Sequence, residues 1–273
     1  MTTPARPFDP HRWTLTLRGM PVTYTDDGDL GPAIVMIHGL PGSARDFRWL
    51  ASAQRERDPP ARVIRLDLPG FGGTDRRLGG AMRLSDRARF VVDVLDAIGV
   101  EEAILVGHSM GGPVALGAAA ELGPRACGVF LLASVGRTPH AGYRASPHPP
   151  TLAAILTNPL TRRLLARPMR AGFVHLGFPS STPTSELQET MRTVGKFRFA
   201  DSARAIDRVG ALGVPAEVFV AADDPLVEVP IAHALTHDLR ARLTVFEDGG
   251  HNIQKTQAVE LAARLLAMHE EAR

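Results

Sequence analysis

Ser109 stands in the run Leu105 to Leu116, LVGHSMGGPVAL, with Gly107 two residues before it and Gly111 two residues after. A serine hydroxyl is a poor nucleophile at neutral pH. It needs a base to take its proton, a third group to orient that base, and donors aimed at the oxyanion that forms. Gly107-His108-Ser109-Met110-Gly111 matches Gly-x-Ser-x-Gly, a pattern in which the serine occupies a strained turn between a strand and a helix. The apolar AILV before it and the small-residue segment Pro113 to Leu122 after it supply that context. Pro113 falls in the first helical turn, where backbone N–H groups lack intrahelical partners. A bare Gly-x-Ser-x-Gly also fits a glycine-rich turn with an incidental serine, and only the flanks distinguish the two. Two further places carry groups that could serve such a serine. Asp223 and Asp224 follow the apolar run EVFVAA, and His251 follows RLTVF across Asp248-Gly249-Gly250. Loops at the C-terminal ends of parallel strands are where such folds build sites.

Other chemistries lack their residues. No His-Glu-x-x-His motif occurs, and His233 and His237, though one helical turn apart, have no glutamate after His233. Cys127 is the single cysteine, so neither an internal disulfide nor a cysteine-based zinc site can form. The turn DLPGFGGTD, Asp67 to Asp75, is not a dinucleotide fingerprint, and Asp67 is expected to tie that loop in place. No metal and no organic cofactor are expected.

The elements around these residues alternate. Trp13 to Thr25 has apolar and polar residues alternating on both sides of Arg18-Gly19, the pattern of a hairpin. AIVMI (33–37) is a continuous apolar run of the kind that forms a strand buried on both faces, and RVIRL (62–66), AILV (103–106) and the run from Gly128 to Ala133 also read as strands. Helical spacing fills the gaps: Ser43 could cap a helix to about Ala53, and Phe90, Val91, Val94, Leu95 and Ile98 share one helical face within Ser85 to Ile98. From Arg137 to about Asp201 the rhythm breaks into a segment rich in Pro, Ser and Thr, with helical patches at 152–156, 164–173 and 185–194. EVFVAA and RLTVF then resume the strands, and Thr256 to Met268 closes with an amphipathic helix. Strands alternating with helices imply a mostly parallel sheet covered on both faces, interrupted by a helical insertion.

With HGLPG at His38 to Gly42, DLPGFGGTD, GHSMGG around Ser109, an acid after EVFVAA and GGH at His251, the chain resembles the capped, cofactor-free serine hydrolases of the α/β-hydrolase superfamily, over residues 13–136 and 203–273. The resemblance implies an α/β fold: a doubly wound, mostly parallel sheet with a helical cap inserted after the sixth strand. It divides the chain into a core of 1–136 and 203–273 and a cap, or lid, of 137–202. It implies a chain order of serine, acid, histidine, and hence a catalytic triad of Ser109, Asp224 and His251. The adjacent acids are separated by the family's spacing from a small residue at the strand end, which favours Asp224 over Asp223. Ala221 departs from the glycine common there. The oxyanion hole is assigned to the backbone amides of Leu40 and Met110. His38 and His108 read as packing residues of their loops. Candidates for the substrate pocket are His38, Met169, Phe173, Phe178 and Phe199, and the last four could equally form the cap's own small core.

The chain has 273 residues and is 44% hydrophobic, enough to bury a sizeable core. Its apolar runs are far shorter than the roughly 20 residues a membrane span needs, and MTTPARPFDPHRW lacks the apolar stretch of a secretory signal. The expected address is the cytoplasm. The net charge of +2 is mild, and the basic residues are scattered, lysine occurring only at Lys196 and Lys255. The expected partner is a small-molecule substrate, with no nucleic acid, which needs clustered charge, and no membrane. Homo-oligomerisation is left open. The expected activity is hydrolysis of a small ester through an acyl-enzyme, as in a carboxylesterase. The alternatives are carbon–carbon bond hydrolysis of a diketone-type substrate, a lactonase or a thioesterase, and, outside enzymes, a ligand-binding receptor on the same fold. Dehalogenation and epoxide opening are disfavoured, since the relatives that do these carry aspartate where Ser109 stands.

Overall fold

The structure, a computed structural model, describes residues 11–55, 61–81, 83–145, 149–175 and 178–273. Residues 1–10 of the N-terminal stretch lie outside the described residues. Eight strands form one sheet: β1 (Arg12–Leu17), β2 (Met20–Asp27), β3 (Leu30–Ile37), β4 (Ala61–Leu66), β5 (Ala103–His108), β6 (Ala126–Leu132), β7 (Ala216–Ala221) and β8 (Arg242–Phe246). Their order is β1-β2-β4-β3-β5-β6-β7-β8. From β4 to β8 all neighbours are parallel, while the hairpin β1–β2 joins that sheet antiparallel through β4. Arg18 and Gly19 both take positive φ, 51° and 74°, the tight hairpin turn that the alternation around them predicts.

The apolar runs follow from burial on both faces. Val35 and Ile37 of β3 turn to one face, where they pack with α2 (Leu84–Ala97) and α3 (Gly111–Leu122); Ile34 and Met36 turn to the other, where they pack with α1 (Arg48–Arg55). Between β6 and β7 come α4 (Ala141–Arg144), α5 (Pro149–Thr157), α6 (Ala166–His175), α7 (Thr184–Lys196) and α8 (Phe199–Leu212). Ala153 of α5, Met169 of α6 and Leu187 and Met191 of α7 make a separate small core. In contrast, Ala205, Ile206 and Val209 of α8 join the main core. The sequence placed the return to the core at 203, yet α8 runs unbroken through that position. After β7 come α9 (Val229–Leu239), and after β8 the short α10 (Ile253–Thr256) and α11 (Ala258–Glu271), which covers the α1 face.

Polar groups fix the loops at the carboxyl edge. Ser43 caps the turn Ala44–Phe47 that leads into α1: its Oγ accepts from the Arg45 N–H, and the Asp46 carboxylate accepts from its own N–H at 3.1 Å. Asp67, fully buried just past β4, accepts from the Thr23 hydroxyl at 2.7 Å, the Ala44 N–H at 2.8 Å and the Gly73 N–H at 3.3 Å, with the Arg12 guanidinium at 3.3 Å. One carboxylate thus ties β2, the loop after β3 and the turn after β4. Asp67→Ala leaves the Ala44 N–H and the Thr23 hydroxyl without this buried acceptor and is expected to cost about 2–4 kcal/mol of stability, read as a lower urea midpoint. A midpoint equal to that of the unaltered protein would show that the donors find other partners.

Candidate active site

Ser109 sits at the junction of β5 and α3 with φ 53°, a conformation that costs a residue with a Cβ. Neighbours on several sides hold it there. Its N–H donates to the Leu132 carbonyl at 2.9 Å, and its carbonyl accepts from Gly112 N–H at 3.0 Å and Val135 N–H at 3.2 Å. The glycines are required by close approach. A Cβ on Gly111 would lie 2.2 Å from the Ile37 carbonyl oxygen, and one on Gly107 would lie 2.6 Å from the Gly111 carbonyl oxygen.

His251 and Asp224 lie on the loops after β8 and β7. The His251 ring places Nε2 2.9 Å from Ser109 Oγ, and its Nδ1 lies 2.9 and 3.1 Å from the two Asp224 oxygens. An ionised carboxylate only accepts, so Nδ1 carries the proton and Nε2 is free to accept from the serine hydroxyl. Asp224 is fixed by the Leu226 and Val227 N–H groups, which donate to Oδ1 at 2.8 and 3.0 Å. Burial pushes its pKa up, but the His251 hydrogen bond and charge and those two amides outweigh it. The net result is a carboxyl held below its ordinary range. Asp223 bonds elsewhere. It accepts the Gly250 N–H at 2.8 Å and anchors the loop that carries His251. The two adjacent acids therefore separate by partner, one to the ring and one to the backbone.

His108, beside the serine, donates from Nε2 to the His251 carbonyl at 2.8 Å. Its Nδ1 is buried with no hydrogen-bond partner among the described residues, and burial lowers its pKa to about 3. His38 is likewise buried; its Nδ1 donates to the Gly39 carbonyl at 2.7 Å and its Nε2 accepts the Leu68 N–H at 3.0 Å. Burial pushes its pKa down to about 4. Both are packing histidines, and His38 offers no surface to a pocket.

Leu40 and Met110, whose N–H groups make no hydrogen bond among the described residues, line a small cavity of about 10 Å³, the space of one water molecule. The rest of its wall is Leu68, Leu84, Arg87, Val114, Thr193 and Phe197. The pocket candidates of the insertion are not among them. Met169 and Phe173 pack into the insertion's own core, Phe178 lies edge-on against Phe173 at 5.6 Å, and Phe199 packs edge-on against Phe197 and Tyr143. The insertion contributes Thr193 and Phe197 instead. Sequence reasoning missed these because one is polar and the other lies in the short link between two helices. Among the described residues no group of three His, Cys, Asp or Glu side chains could hold a metal ion, and no described helix is long and apolar enough to cross a membrane.

A family model described as Alpha/beta hydrolase family matches residues 34–264. The chain belongs to that family. Over 261 residues it is 29% identical to the dihydrolipoyllysine-residue acetyltransferase component of an acetoin cleaving system from Cupriavidus necator, covering 90% of this chain and 66% of that one. Over 116 residues it is 36% identical to a 2-hydroxy-6-oxo-6-phenylhexa-2,4-dienoate hydrolase from Comamonas testosteroni, covering 42% of this chain and 40% of that one. The chain thus spans less than two thirds of the length of these curated relatives. An alpha/beta hydrolase fold protein from Burkholderia ambifaria superposes with a TM-score of 0.75 at 19% identity, over 93% of this chain and 96% of that one; at that identity the likeness is one of fold.

As in other alpha/beta hydrolases, the serine turn leaves no room for a larger residue at its second glycine. Gly111→Ala forces the start of α3 away from the Ile37 carbonyl and is expected to cost about 1–3 kcal/mol. The expected outcome is a lower melting temperature. An unchanged melting temperature would mean that the contact between α3 and β3 is not rigid.

Proposed function

We propose that this alpha/beta hydrolase is a serine enzyme that cleaves a small carboxylic ester through an acyl-enzyme. The observation that carries the proposal is the continuous hydrogen-bonded line from Asp224 through His251 to Ser109, with distances of 2.9 Å at both links. Ser109 Oγ attacks the ester carbonyl carbon while its proton passes to His251 Nε2. Asp224 holds the imidazole by Nδ1 and stabilises the imidazolium. The tetrahedral oxyanion is received by the Leu40 and Met110 N–H groups, at the mouth of the helix α3 N-terminus. His251 then gives the proton to the departing alkoxide, and an alcohol leaves. Water, deprotonated by His251, attacks the acyl carbon and releases the carboxylic acid and a free serine.

Helices α4 to α7 act as the cap in this proposal. The support is that Thr193 and Phe197 close the cavity that Leu40 and Met110 open. An ester is the default substrate because an alkoxide is the better leaving group, while lactones and thioesters need the same residues. Carbon–carbon hydrolysis of a diketone-type substrate is the second reading, favoured by the likeness to the Comamonas testosteroni hydrolase. The serine, histidine and carboxylate aligned within hydrogen-bond reach argue against a ligand receptor on the same fold.

A fluorophosphonate probe is expected to label the protein and to fail on Ser109→Ala. His251→Ala and Asp224→Asn are each expected to lower kcat by about 10⁴-fold, the scale of triad loss elsewhere. Asp223→Asn, which loosens only the Gly250 N–H, is expected to cost far less; the reverse order would overturn the choice of Asp224. If the unaltered protein resists labelling and hydrolyses nothing in a panel of esters, lactones and vinylogous diketones, the hydrolase proposal fails. If it cleaves the diketones with higher kcat/KM than any ester, the substrate class changes and the residue roles stand.

A further inference from the structure

The outer side of the helical insertion combines two features that soluble surfaces rarely hold together. Among the described residues eight large apolar side chains are exposed, and four of them, Ile155, Leu160, Leu164 and Val174, lie between positions 155 and 174. Leu160 is 91% exposed and Leu164 81%. The N–H groups of Arg162, Leu165 and Met169 donate to the carbonyls of Asn158, Thr161 and Leu165, so successive helical turns from Asn158 lead into α6, which itself begins at Ala166. Leu160, Leu164, Arg167, Ala171 and Val174 are then spaced by four, three, four and three residues, which puts them on one face, and all five are exposed. The opposite face, with Met169 and Phe173, packs into the insertion's own core. This helix is apolar on two sides and uses only one of them inside the protein.

The second feature is charge. Between Glu121 and Glu186 the chain contains no aspartate or glutamate, but seven arginines. Arg125, Arg137 and Arg144 are paired with acids outside this stretch, and Arg170 is bonded to the carbonyls of Ser180 and Thr182 and the Thr184 hydroxyl. Arg163 and Arg167, both exposed beside the two leucines, have no ion pair among the described residues. Protruding leucines flanked by guanidinium groups that make no ion pair among the described residues suit a layer whose interior is apolar and whose surface is anionic.

We infer that this face docks on an anionic lipid surface, with Leu160, Leu164 and Val174 entering the headgroup region and Arg163 and Arg167 against the phosphates. The expectation of no membrane partner rests on apolar runs too short for a membrane-crossing helix; such runs place no limit on a helix that lies along a membrane, and peripheral contact departs from that expectation. Charge also argues against a second copy as the occupant, because two such faces brought together oppose arginine to arginine. The surface lies on the outside of the insertion and does not depend on whether Ser109 turns over an ester.

The test is co-sedimentation of the full chain with phosphatidylcholine vesicles, with and without phosphatidylglycerol, at low and high salt. Binding is expected to the anionic vesicles only, and to weaken as salt screens the contact. Arg163→Gln with Arg167→Gln is expected to weaken partitioning about 30-fold, from a factor of about five per arginine. Leu160→Asp with Leu164→Asp is expected to abolish it. All four positions are on the surface, and unchanged circular dichroism confirms that the variants fold. Ser109→Ala is expected to bind like the unaltered protein, which separates this inference from the proposed hydrolysis. Failure to sediment with anionic vesicles at low salt, equal binding to neutral vesicles, or binding that survives both double variants would each overturn it. So would light scattering that finds a dimer which the leucine variant dissociates, in a protein that binds no vesicles; the face would then belong to a second copy.

Discussion

The contact on which the site depends is between backbones: the first turn of α3 lies directly on the carbonyl end of β3. With a hydrogen in place of a side chain at Gly111, the Ile37 carbonyl can approach so closely that a Cβ there would lie at 2.2 Å. That approach sets how far Met110, at the start of α3, stands from Leu40, on the loop leaving β3. The two amides proposed as oxyanion donors thus belong to segments whose separation is fixed by main-chain packing and does not rely on flexible side chains. The positive φ of Ser109 has the same origin. β5 must end and α3 must begin within two residues for the contact to form, and the serine takes the strained conformation between them. Hydrogen bonds from Ser109 to Leu132, Gly112 and Val135 hold that strain locally.

A second constraint governs protons. Three histidines crowd the serine, and a site with several titrating imidazoles would have no defined base. Burial removes the ambiguity. His108, lowered to about 3, and His38, lowered to about 4, stay neutral wherever the protein would work, and each has one nitrogen committed to a backbone carbonyl. Only His251 faces both an acid and the hydroxyl. His108 serves it indirectly, since its N–H holds the His251 carbonyl and thereby the loop, while Asp223 holds the same loop through Gly250.

How much of this was legible in the sequence follows from which residues had a single job. AIVMI and AILV are apolar throughout because both faces of their strands are covered, so the strands, their order with the helices, and the serine turn could be read directly. The adjacent acids were harder. Both follow β7 and both are used, so chemistry alone could not rank them; only the spacing carried by the resemblance pointed to Asp224. The insertion was least legible. Its helices have apolar residues on more than one side, and the periodicity that marks a core face becomes ambiguous there. Met169 and Phe173 therefore looked as suited to a pocket as to a core. The start of α8 was missed for the opposite reason: Ala205, Ile206 and Val209 are few and mostly small, a weak stripe for a helix that packs on the main core.

The seat of the insertion on the core has an unusual chemistry, and this bears on how a substrate would reach Ser109 in the proposed hydrolysis. The cavity beside Leu40 and Met110 holds about one water, so an ester entering there would have to part α7 from α2. Apolar contacts at that joint are joined by a buried polar one: Arg87 of α2 donates to the Thr193 hydroxyl of α7 at 2.6 Å and lies 4.0 Å from Glu189, which also pairs with Arg192 at 3.0 Å. Burial holds the Arg87 guanidinium down at about 10, its Nε has no hydrogen-bond partner among the described residues, and neither has Glu189 Oε1. Two charges with unsatisfied atoms, taken out of water, repay little of their desolvation cost while the joint is closed. Opening the joint returns both to water and recovers that cost, which offsets the apolar area exposed at the same moment. A seat made only of leucines would resist opening in proportion to its area. Placing an imperfect ion pair within it instead narrows the gap between closed and open, while the Thr193 hydrogen bond still defines one register for closing.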